Sequence, residues 1–285
     1  MLESTIAGSL PKPDWLAEPE KLWAPWCFEG EALIQAQERA AAEWIKHQED
    51  AGIDIVTNGE QFRIHFVHGF LEQINGIDWE KKTAMGIRDN RYTVQVPTVT
   101  GPVSRPKAVH RDEVRFCRSL TDRKLKFTLP GPMTICDTIA DGHYGRRADM
   151  AMAFAEILNA EARELEAAGV DVIQFDEPAF NVFMEDVKEW GVDALHRACE
   201  GLTCTTAVHM TWPLARSKAW PPVLLWCVTS GNARVTCPLC QGKVEKLMST
   251  FSVGASPPAV GGMPDIAGPK MCTNCGPPNT GYDRN

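Results

Sequence analysis

The stretch GVDVIQFDEPAFNV, residues 169–182, opens as an apolar, β-branched run and stops on two adjacent acids and a proline. Such a run after a glycine predicts a short buried strand. The preceding DMAMAFAEILNAEARELEAAGV carries apolar residues at helical spacing and predicts a long helix leading into that strand. The same alternation extends in both directions. STIAGS, IDIVTNGE and LKFTLPGPMT are strand-like upstream, and CTTAVH is strand-like downstream. EALIQAQERAAAEWIKHQEDAG predicts a helix with Gly52 suited to its C-terminal cap, and MEDVKEWGVDALHRACEG predicts another. Strands alternating with helices of this length imply βα units around a parallel sheet. The segment DNRYTVQVPTVTGPVSRP departs from the rhythm as an inserted β-excursion with a proline-containing exit.

The polar residues obey one rule. Gly8 and Ser9 follow the first strand, Asn58, Gly59 and Glu60 the second, and Gly131, Pro132 and Thr134 follow LKFTL. Asp176 and Glu177 follow VDVIQF, and His209 follows CTTAV. Every cluster falls at the carboxyl end of a strand, which in a (β/α)8 barrel is the catalytic face. Each has a plain structural reading too. Acids before a proline cap turns, Glu60 could stabilise the dipole of a following helix, Ser9 could be a turn residue, and a lone histidine is often a satisfied core residue. Their coincidence at matching strand ends favours the functional reading. The expected fold class is α/β, of the (β/α)8 TIM-barrel type, incomplete or irregular after about residue 210.

Composition narrows the function. The 285 residues suffice for one large α/β domain or two small ones. A net charge of -8 argues against nucleic acid or an anionic membrane as partner. No apolar run approaches the roughly 20 residues that span a bilayer, and the N-terminus lacks the basic and apolar regions of a signal peptide. A cytoplasmic protein is expected. The ten cysteines are then thiols or metal ligands rather than disulfides. Cys27, Cys117, Cys136, Cys199 and Cys204 are scattered singly, and most are expected to be buried small hydrophobes.

After His209 the composition changes. Ten of the 20 prolines lie beyond residue 210, where seven basic residues face three acidic ones, against 22 and 34 before it. Two organisational units follow: βα units over 1–210, and a Pro/Gly/Cys-rich tail over 211–285. The tail holds CPLC and CTNC, whose spacing suits a structural zinc site of Cys237, Cys240, Cys272 and Cys275. It could equally be the frame-disturbed remnant of the last barrel strands.

Six segments in order, TIAGSLPKP, QEDAGIDIVTNGEQFR, VTGPVSRPKAV, LKFTLPGPMTI, ELEAAGVDVIQFDEPAF and TTAVHM, resemble the catalytic barrel of cobalamin-independent methionine synthases and their short single-barrel relatives. The resemblance implies a zinc enzyme that moves a methyl group to the thiol of homocysteine. It places Glu60 and Asp176 on the substrate ammonium, Gly8 and Ser9 on its carboxylate, and His209 and Cys275 on the metal. No catalytic acid or base is assigned. The family's metal site continues with a cysteine two residues after the histidine, where this chain has Thr211. A tryptophan that contacts folate in the full-length enzyme is replaced by the neighbourhood of Asp137 and Thr138, and the acid expected after DEPA gives way to Asn181 and Val182. The implied donor is therefore a methyl-corrinoid or another donor rather than a folate. Alternatives are zinc–thiol alkyl transfer of the epoxyalkane:coenzyme M type, a non-catalytic barrel with a four-cysteine zinc tail, or an inactive product.

Overall fold

The structure, a computed structural model, describes residues 3–18 and 25–210, with the backbone of three short strands at 224–228, 235–236 and 243–247. In chain order the first elements are helix α1 (Gly30–Asp50), strand β1 (Ile55–Val56) and helix α2 (His68–Leu71). A long hairpin of β2 (Asn75–Ile87) and β3 (Tyr92–Ser104) follows, then α3 (Arg111–Ser119), β4 (Lys124–Pro130), α4 (Pro132–Cys136) and β5 (Ala140–Asp141). Next come α5 (Arg147–Ala167), β6 (Val172–Asp176), α6 (Met184–Asp186), a π-turn (Val187–Gly191), α7 (Val192–Cys199) and β7 (Thr205–Met210). The final strands are β8 (Leu224–Val228), β9 (Val235–Thr236) and β10 (Lys243–Leu247).

A parallel wall organises these elements. Thr5 bridges Ile55, and β1, β4, β6 and β7 then lie side by side in chain order, all parallel. Neighbouring parallel strands joined through helices form a TIM-barrel wall. The run ends at β7. There β8 pairs antiparallel, with Thr206 opposite Val228, and β10 and β9 follow antiparallel, so the wall does not close among the described residues. The fold is thus α/β of the TIM-barrel type up to Met210, and the strands described beyond it pair antiparallel.

The period of two along a strand sorts each strand into two faces. Leu125, Phe127 and Leu129 of β4 and Ile173 and Phe175 of β6 join Phe154, Leu158 and Leu165 of α5 in the main core. Each such side chain stabilises the fold by about 1.5–3 kcal/mol on burial. The alternate residues face the barrel interior, where Ile55, Val172 and Ala207 form a small apolar floor. Above that floor the interior turns polar. Gly52 closes α1 at φ +77°, as its sequence position predicts. The β-excursion is longer than DNRYTVQVPTVTGPVSRP, because β2 pairs with β3 along much of the hairpin despite its polar sequence. Cys117 and Cys136 are buried, and burial pushes both thiols above their ordinary range. Cys27, by contrast, is exposed.

Candidate active site

At the end of β1 the chain turns so that a buried acid faces the first strand. Gly59 and Glu60 are both left-handed, at φ 64° and 59°. For a residue with a Cβ that conformation costs about 1–2 kcal/mol. The Asn58 side-chain oxygen holds the turn by accepting the Glu60 N–H at 2.9 Å. Glu60 is 3% exposed. Its Oε1 accepts the Thr128 hydroxyl at 2.9 Å and lies 3.4 Å from Arg63 Nη2. The same guanidinium donates to the Thr128 carbonyl at 2.8 Å and to its hydroxyl. A Cβ on Gly8 would stand 3.0 Å from Glu60 Oε1 and 3.2 Å from Thr128 Cγ2. Glycine at position 8 therefore lets the first strand end close against the acid.

The second acid comes from β6. Asp176 Oδ1 accepts the Gln174 amide at 2.7 Å and lies 3.0 Å from His209 Nδ1. Gln174 also donates to the Ala7 carbonyl at 2.8 Å, which ties Asp176 to the Gly8 strand end. Beneath both acids lies Lys126, 1% exposed. Its ammonium donates to the Ile6 carbonyl, to Ala7 O at 3.2 Å and to Gln174 Oε1 at 2.8 Å. Burial pushes Lys126 down to about 8, while Asp176 and Glu60 pull the other way.

Glu177 faces away from that cluster. Its carboxylate accepts the Met133 and Thr134 N–H groups at 2.9 and 2.8 Å and the Thr134 hydroxyl at 2.6 Å. Burial pushes it up to about 7 against those donors. A Cβ on Gly131 would fall 2.1 Å from Glu177 Cδ, so that glycine makes room for the acid.

The hairpin tip closes one side of the face. Arg88, left-handed at φ 53°, directs its backbone N–H at 3.3 Å and its guanidinium onto Asp137 Oδ2. Arg147 Nη2 stands 3.9 Å from the other oxygen. Asp137 is 1% exposed, and burial raises its pKa against the two arginines.

The structure brings Gly8, Glu60, Asp176 and His209 together, with half-buried Ser9 next along the chain. Arg63, Lys126, Thr128 and Gln174 complete the cluster and were missed as site residues. A lysine inside LKFTL and a glutamine inside VIQF were the available signals, since an interior strand position normally carries an apolar side chain.

The zinc expectation fares differently. His209 binds Asp176 through Nδ1, which leaves Nε2 for a ligand, the orientation that a carboxylate gives to metal-binding histidines. Yet no group of three or more His, Cys, Asp or Glu side chains suited to a metal exists among the described residues. A single imidazole falls short of the three or four ligands that zinc takes from a protein. The described residues do not fit the metal, and Cys275, like Cys237, Cys240 and Cys272, lies outside them.

Residues 2–211 match the family profile described as the cobalamin-independent synthase catalytic domain. The chain belongs to the cobalamin-independent methionine synthase family. Methionine synthase from Sulfolobus acidocaldarius is 32% identical over 213 residues, 74% of this chain and 62% of that protein. Its counterpart from Saccharolobus solfataricus is 31% identical over 214 residues, 74% of this chain and 63% of that protein. The chain thus spans about three-fifths of the length of the curated methionine synthases it matches. A solved B12-independent methionine synthase from a Shewanella species, in complex with selenomethionine, is 54% identical with a TM-score of 0.71, covering 75% of this chain and 62% of that one. A putative B12-independent methionine synthase from Listeria monocytogenes, 17% identical with a TM-score of 0.55 over 74% of this chain and 66% of its own, shares the fold. Among the described residues no helix is long and apolar enough to cross a membrane.

Proposed function

We propose that this chain is a cytoplasmic methyltransferase that forms methionine by moving a methyl group to the sulfur of homocysteine. One observation carries the reading. Two buried carboxylates, Glu60 and Asp176, converge from different strand ends on the segment Ala7–Gly8. An α-amino acid offers an ammonium for such a pair, and its carboxylate suits the backbone N–H groups of Gly8 and Ser9 with the Ser9 hydroxyl. A relative 54% identical to this chain is known in complex with selenomethionine, the selenium analogue of the product. Holding both ends of the amino acid fixes where its sulfur lies, and such positioning lowers a transfer barrier by up to about 7–11 kcal/mol.

In the transfer the thiol first gives up its proton to water, because the thiolate is the nucleophile. A sulfur lone pair then forms the new S–C bond as the bond from donor to methyl breaks, its electron pair staying with the donor. The donor proposed is a methyl-corrinoid rather than methyltetrahydrofolate. In support, the neighbourhood of Asp137 and Thr138, where the family's folate enzymes carry an aromatic ring, holds a carboxylate spent on Arg88 and Arg147. Zinc rests on family membership alone, with His209 its one described candidate ligand, and no step above passes through it.

The coenzyme M alternative is less well served, since that thiol has no ammonium to set against Glu60 and Asp176. The test is calorimetric titration of the chain with L-homocysteine, L-methionine and coenzyme M, together with methionine assays supplied with methylcobalamin or methyltetrahydrofolate. Binding of both amino acids and turnover with methylcobalamin are expected. Tighter binding of coenzyme M than of homocysteine would overturn the reading.

A further inference from the structure

The barrel interior runs from apolar to polar, and two of its side chains are unexpected. Ile55, Val172 and Ala207 form the apolar floor, and Glu60, Thr128, Asp176 and His209 line the top. Lys126, opposite Val172 in the register, and Gln174, opposite Thr128 and Ala207, occupy interior positions where a barrel of this type ordinarily places branched apolar residues. Neither is exposed by more than 1%. Burying an ammonium is costly unless charge and hydrogen bonds offset it. Stability alone would favour methionine or leucine at position 126.

The partners of Lys126 show what the charge does. Two are the carbonyls of Ile6 and Ala7, which immediately precede Gly8 and Ser9. The third is Gln174 Oε1, and the NH2 of the same amide donates to Ala7 O and to Asp176 Oδ1. One ammonium thus orients both halves of the proposed pocket, the strand end that offers N–H groups and the acid that accepts an ammonium. It also supplies positive charge beneath two acids that must stay ionised to bind a cation. The charges facing it from the surrounding strands are Asp176 on β6 and Glu60 after β1, with Arg63 on the far side of Glu60 and His209 beyond Asp176.

We propose that Lys126, acting through Gln174 and the Ile6–Ala7 carbonyls, is the positioning residue that fits this site to the zwitterionic head of an amino acid. The inference rests on the reading of the pocket given under Proposed function. Lys126 touches neither substrate nor reacting atoms, so its effect falls on affinity for the amino-acid head rather than on the thiol.

The experiment is titration of L-methionine into the full chain and its Lys126→Met and Gln174→Met variants from about pH 6.5 to 9, with thermal melts as the control for folding. Each variant is expected to bind about tenfold or more weakly at the lowest pH, as for loss of a charge-assisted hydrogen bond. The double variant is expected to lose little beyond either single one, because both changes break the same chain of contacts. The gap between native protein and Lys126→Met is also expected to narrow as the pH passes about 8, where the native ammonium loses its proton. If Lys126→Met does not fold, Gln174→Met alone decides, since it introduces no charge change. Native affinity and pH dependence in a folded variant would overturn the role of Lys126 and leave the amino-acid pocket standing. Failure of the native chain to bind L-methionine or L-homocysteine would overturn both.

Discussion

Asp176 and His209 stand opposite each other in the parallel register of β6 and β7, and Asp176 Oδ1 lies 3.0 Å from His209 Nδ1. The contact couples the acid proposed to bind an ammonium to the imidazole at the next strand end. It also selects which ring nitrogen of His209 faces away from Asp176.

Asp176→Asn keeps the shape of the side chain and removes its charge. We expect L-homocysteine affinity to fall by about ten- to a hundredfold, as for loss of a buried charge-assisted contact. Glu60→Gln should do the same from the other strand end. Calorimetric titration measures both, and unchanged affinity in either variant would exclude that acid from the pocket.

Gly131→Ala should destabilise the fold by about 2–3 kcal/mol, because a small-to-large change in a packed core forces its neighbours to move. The methyl group would meet Glu177 Cδ at 2.1 Å. Combining it with Glu177→Ala should recover much of the Gly131→Ala loss, since the clash is between these two positions. Urea unfolding of the single and double variants checks this, and strict additivity would refute it.

Glu177 should make stability depend on pH. Its folded-state pKa is raised from 4.5 to about 7, so over that interval the folded chain holds a proton that the unfolded chain has released. Its stabilising contribution is complete below the unfolded value, declines as the pH rises from about 4.5 to about 7, and is gone above that. The total change is on the order of 3 kcal/mol. Glu177→Gln does not titrate. The difference in unfolding free energy between native and variant chains should therefore shift by most of that amount between about pH 5 and 8. A difference independent of pH would contradict it.

Arg88→Ala should cost about 3 kcal/mol, because it leaves the Asp137 carboxylate buried with Arg147 as its remaining cation at 3.9 Å. Adding Asp137→Asn should restore part of that loss. A double-mutant cycle by chemical unfolding tests the coupling, which should exceed about 1 kcal/mol for so buried a pair.

Much of this was legible before any coordinates. The apolar run of VDVIQF, the helix formers of residues 149–170 and the recurrence of the pair indicated the parallel wall, because hydrophobic periodicity reports which faces are buried. The rule that polar residues gather at strand ends selected Gly8, Glu60, Asp176 and His209. Hairpin β2–β3 was only half recognised, since NGIDWEKKTAMGI is too polar to look like a strand and is held by pairing with β3.

The sequence by itself determined the βα alternation, the family and the acids of the pocket, because these depend on local pattern and residue type. Tertiary structure alone decided how they are supported. Lys126 and Ile6 are 120 residues apart in the sequence, and only the packing of the first strand end beside β4 sets the lysine ammonium against the Ile6 carbonyl. Likewise the tip of β2–β3 reaches Asp137 across 49 residues, a pairing set by how the hairpin lies over the strand ends. Contacts of that kind depend on the closure of chain segments in space, and no spacing along the sequence encodes them.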